Sequence, residues 1–422
     1  MNTATPAGIE LPSMPSDQNA SGRLLGDEEI ANLIEAIKSG TLTSTKGTFT
    51  KRFIAKFGEM LGVEEAHACA SGTAAIHAAV AAVDPAPGDE IITSPITDMG
   101  AITPIIYQTA IPVFADVDAK TGNVTAESIS RVISPKTKAI IVTHLFGNPA
   151  EMGPIMELAD RHGIPVIEDC AQAYGASYKG QKIGTIGAIG CFSLQQGKHI
   201  TTGEGGMVVT NDAELGRRVR LFIDKAWGYG DPKPDHYFAA LNARMCELQG
   251  AVALAQLDKL PHSISQRQKM AARLDHALRG LRGVEIPMTN SECGSADCEA
   301  NCCVNGYWKY IVLVPEEMGG PGALAEELKT GGIASAPRYI QKPAFECQVI
   351  RDQVTFGGSR FPFNLARPEA VDYAPENFEG AYKYLSQVLV IPWNENYENV
   401  HVDHIATQIA AFDAAHFQEA AE

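Results

Sequence analysis

Ser193-Leu-Gln-Gln-Gly-Lys198-His-Ile-Thr-Thr-Gly203-Glu-Gly205-Gly206 carries the strongest fold signal in this chain. An apolar run, Ala188 to Ser193, leads into it, and a second, Met207 to Thr210, follows its Thr/Gly-rich turn. That pattern predicts two buried strands with Lys198 at the end of the first. Burial disfavours an ammonium and lowers its pKa. An amine held in that state attacks carbonyl carbons. The plain alternative is a surface lysine in a hairpin.

Three other segments bear on the choice. In Val166-Ile-Glu-Asp169-Cys-Ala-Gln172-Ala-Tyr-Gly175 a short apolar strand, Ile164 to Ile167, runs into two acids. Ligands of open α/β sheets bind beyond the carboxyl ends of the strands, so Asp169 is expected to face that crevice. A carboxylate there can hold a protonated ring nitrogen, as in pyridoxal phosphate (PLP) enzymes; helix N-capping is the other reading. Cys69-Ala-Ser71-Gly72-Thr73-Ala-Ala-Ile-His-Ala-Ala-Val80 reads as strand, tight turn and helix start. Its free N–H groups and the hydroxyls of Ser71 and Thr73 suit a phosphate, although Ser and Thr also serve as plain caps. Asn242-Ala-Arg244-Met245-Cys-Glu-Leu-Gln249 is expected to open a long helix.

Taken together, these segments resemble the DegT/DnrJ/StrS family of PLP-dependent sugar and cyclitol aminotransferases, of fold type I. The likeness extends to Gly88-Asp-Glu-Ile-Ile, Pro112 to Asp118 and His144-Leu-Phe-Gly147-Asn-Pro-Ala; it is strong from Leu24 to Leu260 and weaker beyond. The resemblance implies that Lys198 bonds the cofactor and later shuttles a proton, and that Asp169 binds the pyridine nitrogen. It implies that Gln172 lies near the ring and its phenolic oxygen, and that Gly72, Thr73 and Ser193 hold the phosphate. Asn242 matches an asparagine that reaches the phosphate from a second subunit, which implies a homodimer. Lys46 in Thr45-Lys46-Gly47, and Arg338 and Lys342 in Ala336-Pro-Arg338-Tyr339-Ile-Gln341-Lys342-Pro343, match substrate positions; exposed loop cations are the alternative.

In two places the chain departs from the family pattern. Ser94-Pro-Ile-Thr97-Asp98-Met99-Gly has no aromatic residue to cover the cofactor ring; Asp98 takes that position, and Met99 is a candidate to pack on the ring instead. Gln195 stands where the family has a histidine. Both changes bear on the substrate side of the site.

The implied reaction is a ping-pong transamination. It runs from glutamate or glutamine to a keto-sugar, nucleotide-linked or free, or to a keto-cyclitol of the inosose type. One alternative is a PLP- or PMP-dependent sugar dehydratase, which would carry histidine in place of Lys198. Another is a non-catalytic regulatory protein, which would have no use for the nucleophile.

Composition agrees. The 422 residues suffice for two cores, and 45% hydrophobic with 20% charged residues is ordinary for a globular protein. A net charge of -16 argues against nucleic-acid or anionic-membrane surfaces. Apolar stretches such as 74–83 are too short to span a bilayer, and Met1 to Gly22 lacks the pattern of a signal peptide, so a cytoplasmic protein is expected. Of nine cysteines, Cys69, Cys170, Cys191 and Cys246 are expected in core elements. Cys293, Cys298, Cys302 and Cys303 crowd one segment; a zinc or iron–sulfur site is one reading, but the spacing fits no common finger and adjacent Cys302 and Cys303 rarely share one ion, so reduced thiols in an insertion are expected.

Strands are predicted at Glu90 to Thr93, Val113 to Asp116 and Ala139 to Thr143. Helices are predicted at Asp27 to Lys38, Phe49 to Leu61, Gly72 to Val83, Glu151 to His162 and Asp212 to Phe222. Their alternation predicts an α/β fold with a mostly parallel sheet between helices; fold type I makes it a seven-stranded sheet with a smaller C-terminal α+β domain. The expected divisions are a flexible arm 1–24, a large cofactor domain 25–260, and a linker helix with a small domain 261–422. The helix Asn242 to Leu281 is expected to break near Pro261. In the small domain, Tyr307 to Val314 reads as a strand, and Gly322 to Thr330 and Val400 to Phe417 as helices.

Overall fold

Short runs of Ile, Val and Ala, apolar on both faces, form strands only if both faces are covered. The strands are β1 (Glu65–Cys69), β2 (Glu90–Thr93), β3 (Ile111–Phe114), β4 (Thr137–Thr143) and β5 (Val166–Asp169), then the polar hairpin β6 (Ser177–Tyr178) and β7 (Gln181–Lys182). After these come β8 (Ile189–Ser193), β9 (Gly206–Thr210), β10 (Lys309–Leu313), β11 (Ala336–Pro337) and β12 (Val388–Pro392). The computed structural model describes residues 12–287 and 303–419.

Its main sheet has seven strands in the order β1-β9-β8-β5-β4-β2-β3. β9 alone runs against its neighbours β1 and β8. Side chains alternate between two cores. Ile141 and Ile167 join Val80 and Phe222 on one face, while Ile140, Val142 and Val166 join Phe57, Ile155 and Leu257 on the other. The carboxyl ends of β1, β2, β4, β5 and β8 therefore share one edge.

The second sheet is antiparallel, ordered β10-β12-β11. Tyr310, Leu389 and Ile391 pack there with Leu324 and Leu328 of the helix Gly320–Thr330, and with Ile405 and Ile409 of the helix Asn399–Glu419.

Three local expectations are overturned. The helix Glu247–Ala277 runs unbroken through Pro261, because Leu257, Leu260 and Ser263 are buried on both sides of it. That packing outweighs one lost backbone hydrogen bond. Asn242 does not open this helix. Residues 242–246 are extended and bridge other segments, Asn242 to Asp224, Arg244 to Cys69 and Cys246 to Thr43. Cys246 caps the helix and is exposed, so it is not a core thiol.

The described part of the N-terminal arm is fastened rather than loose. Asp17 and Arg23 are buried. Lys309 Nζ donates to Asp17 Oδ2 at 2.7 Å, and Asn394 Nδ2 donates to the Pro15 carbonyl at 2.9 Å. Among the described residues no helix is long and apolar enough to cross a membrane.

Candidate active site

At the shared edge, β5 ends in two buried acids with opposite duties. Glu168 points under the sheet and is saturated. It accepts from the N–H groups of Gly184, Ile186 and Gly187 at 2.8, 2.8 and 2.6 Å, and lies 3.2 Å from His144 Nε2. The Ala150 N–H donates to His144 Nδ1, so Nε2 carries the proton offered to Glu168. Glu168, His144 and Cys170 lie close enough to hold an ion, but these bonds already engage the ring and the carboxylate.

Asp169 faces the other way, into a cavity of about 610 Å³. Its Oδ1 accepts from the Ala171 N–H at 3.1 Å; Oδ2 has only a long contact, 3.5 Å, with Thr143 Oγ1. Burial raises its pKa, opposed by the Ala171 N–H and by the charge of Lys198. A buried, under-satisfied carboxylate is stabilised by a cation brought beside it.

β1 leads into the helix Gly72–Ala82, whose first N–H groups have no acceptor within the helix. Ser71 Oγ caps it by accepting from the Ala74 N–H at 3.1 Å, which leaves the Ser71 O–H to donate. Gly206 of β9 pairs with both Cys69 and Ser193, drawing the two strand ends together. A Cβ on Gly72 would lie 2.7 Å from Ser193 Cβ, so only glycine permits this approach. The turn thus offers bare N–H groups and the hydroxyls of Ser71, Thr73 and Ser193 at one cavity wall.

Lys198 lines the same cavity. Its pKa is lowered to about 8 by burial, opposed by the carboxylates of Asp169 and Asp98. Its amine lies 4.1 Å from the ring centroid of Trp308. Trp308 stacks on Phe146 and meets Tyr339 edge-on. With Ile340 and Gln341, Trp308 and Tyr339 form the outer wall.

The cavity brings together Ser71, Gly72, Thr73, Asp98, Met99, Asp169, Gln172, Ser193, Lys198 and Lys342. Gln172 Oε1 accepts from the Phe146 N–H at 2.6 Å, which leaves its NH2 to donate. Asp98 Oδ1 accepts from the Gly100 N–H. Lys46 and Arg338 are exposed and outside the lining, as is Asn242. Sequence reasoning did not find Trp308, Tyr339 or Glu204. Trp308 comes from a distant segment with no local motif, while Tyr339 and Glu204 lie in segments read for their neighbours Arg338, Lys342 and Lys198.

Burial pushes the Cys69 thiol up to about 12 and those of Cys170 and Cys191 well above their usual value, so these thiols are unreactive. Cys303 is buried; Cys293, Cys298 and Cys302 lie outside the described residues.

A mostly parallel sheet with one reversed strand, and an amine facing an acid at its carboxyl edge, define the class as a fold-type-I aminotransferase. An aminotransferase from Psychrobacter cryohalolentis, 28% identical, has the same fold with a TM-score of 0.80 over 96% of this chain and 99% of that one. The chain belongs to the DegT/DnrJ/EryC1/StrS aminotransferase family, matched by residues 24–410. GDP-perosamine synthase of Caulobacter vibrioides is 33% identical over 335 residues, 78% of this chain and 86% of that one. L-glutamine:2-deoxy-scyllo-inosose aminotransferase of Streptomyces fradiae is 35% identical over 310 residues, 70% of each chain. Aminotransferases of this family depend on PLP. The cavity suits that group: a turn too tight for any Cβ at Gly72, a buried acid wanting a cation, and an amine of lowered pKa.

Proposed function

We propose that this aminotransferase binds PLP at Lys198 and works by a ping-pong cycle through PMP. In this reading it moves an amino group from glutamate or glutamine to a keto-sugar, nucleotide-linked or free, or to a keto-cyclitol of the inosose type. The observation that carries the reading is the sharing of one cavity by the Lys198 amine, the under-satisfied Asp169 carboxylate and the helix start at Gly72. The names of the Caulobacter and Streptomyces relatives support the two acceptor classes, and with them a role in amino-sugar or aminocyclitol biosynthesis.

Gly72, Thr73, Ser71 and Ser193 would hold the phosphate through N–H and O–H donors. Asp169 would hold the ring nitrogen protonated, and Gln172 would donate its NH2 to the phenolic oxygen. Asp98 and Met99 would flank the ring. When bound, the cofactor supplies an aldehyde to carry the amino group and a π-system that draws electrons from the substrate Cα–H bond. Lys198, with a pKa of about 8, takes and returns a proton at Nζ near neutral pH. Trp308 covers that atom on one side. Lys342 is the cavity cation suited to a donor carboxylate, with Arg338 and Lys46 further out. Asn242, exposed on this chain, fits a part in a second subunit's site, which makes the working form a homodimer.

Borohydride reduction of cofactor-loaded protein followed by peptide mapping tests the proposal. The cofactor's mass is expected on Lys198. An unmodified Lys198 would overturn the assignment.

A further inference from the structure

We propose that Trp308 is a positioning residue for the amine of Lys198, acting through its ring face, which its indole N–H anchors on the neighbouring Gly197 carbonyl. This rests on reading Lys198 as the cofactor lysine.

The chain is locked where it delivers the ring. Val304 bridges Ser177, and the Gly306 N–H donates to the Gly147 carbonyl at 2.9 Å. The Trp308 N–H donates to the Phe146 carbonyl at 3.1 Å, and His199 Nε2 lies 2.7 Å from the Gly306 carbonyl. The ring is 6% exposed. Its Nε1–H donates to the Gly197 carbonyl at 2.6 Å, and its face meets Lys198 Nζ at 4.1 Å from the centroid. One side chain thus grips two consecutive residues, the backbone of one and the reactive atom of the next. Any buried indole N–H needs an acceptor, so the contact that singles out Trp308 is its ring face over the Lys198 amine.

The ring face favours the protonated amine, because its quadrupole is negative where Nζ lies. The other charged groups acting on Nζ are Asp169, Asp98 and Asp17, which favour its charge, and Lys309, which opposes it. Lys309 Nζ also lies 5.0 Å from the Trp308 centroid and is paired with Asp17. His199, next in sequence, is held neutral by burial. Arg23 touches Lys198 only through its carbonyl, at 2.6 Å. Replacing Trp308 by an apolar residue without a π-face leaves all of these groups in place.

The test is competitive labelling of the full-length, cofactor-stripped chain with acetic anhydride across pH, mapping the peptides that contain Lys198 and, as an exposed control, Lys342. Trp308→Phe keeps a ring face and is expected to keep the Lys198 midpoint. Trp308→Leu is expected to lower that midpoint by about one unit, roughly tenfold in proton affinity, with Lys342 unmoved. Trp308→Met serves if the leucine variant does not fold. In the loaded enzyme, kcat is expected to fall about tenfold with Leu and to be largely rescued by Phe. Midpoints equal in all variants, or raised in the Leu and Met variants, would overturn the proposal. Failure of the reading beneath it would instead appear as a wild-type Lys198 that borohydride leaves unmodified.

Discussion

The inner floor of the cavity and its outer wall are built by different means. The floor is made of strand ends and one helix start, each placed by backbone pairing within the main sheet: Asp169 on β5, Ser193 on β8, and Ser71 to Thr73 after β1. The wall is made of side chains from 308 and 339–347, which reach the cavity from the side of the second sheet. Ladder hydrogen bonds fix the floor strands residue by residue, whereas most of the wall, residues 339–347, lies outside any strand. Groups placed by ladders suit bond-making steps, and side chains carried on loops suit substrate choice.

Substitutions on the floor break this division most severely. Lys198→Ala is expected to lower kcat at least about a thousandfold, since it removes both the bonding amine and the proton carrier. Single-turnover formation of PMP from glutamate or glutamine reads this directly, and residual turnover near wild type would show that the floor is not where the chemistry lies. Asp169→Asn is expected to cost about a hundredfold in kcat, because a neutral amide no longer holds the ring proton. A loss confined to KM would assign Asp169 to binding alone.

Glu168 sharpens the contrast one residue away. Glu168→Ala leaves three N–H groups and a histidine proton without their acceptor, at a cost of about 3–5 kcal/mol in stability. Denaturant unfolding is expected to show that loss, while the protein that remains folded keeps most of its kcat. A fall in kcat like that of Asp169→Asn would mean the two acids do not have separate duties.

The smallest effect is expected on the wall. Lys342→Ala is expected to raise the KM for the amino donor about tenfold with kcat changed less than about threefold, as for loss of one charged hydrogen bond. Equal losses in kcat and kcat/KM would place Lys342 in the chemistry.

Much of the floor was legible because its signals are local. A strand ending in Glu168-Asp169, a helix capped by Ser71, and a lysine after an apolar run each declare themselves within about ten residues. β2 (Glu90–Thr93) and the helix Phe49–Leu61 fall where periodicity alone puts them. Cys246 and Asn242 misled because an apolar neighbourhood in sequence does not say which way an extended segment turns. Pro261 misled because its local penalty is visible and the burial that overrides it is not.

By itself, the sequence determined the α/β alternation and the helix start after Ser71, since hydrophobic period and capping chemistry act over a few residues. Only the tertiary structure decided that Glu168 is a structural anchor and that Trp308 lies over Lys198. It also decided that Asp17 and Arg23 tie the arm down behind the site. Those outcomes depend on contacts between residues more than a hundred positions apart, or on which face of a strand is already satisfied. No short window of sequence contains either.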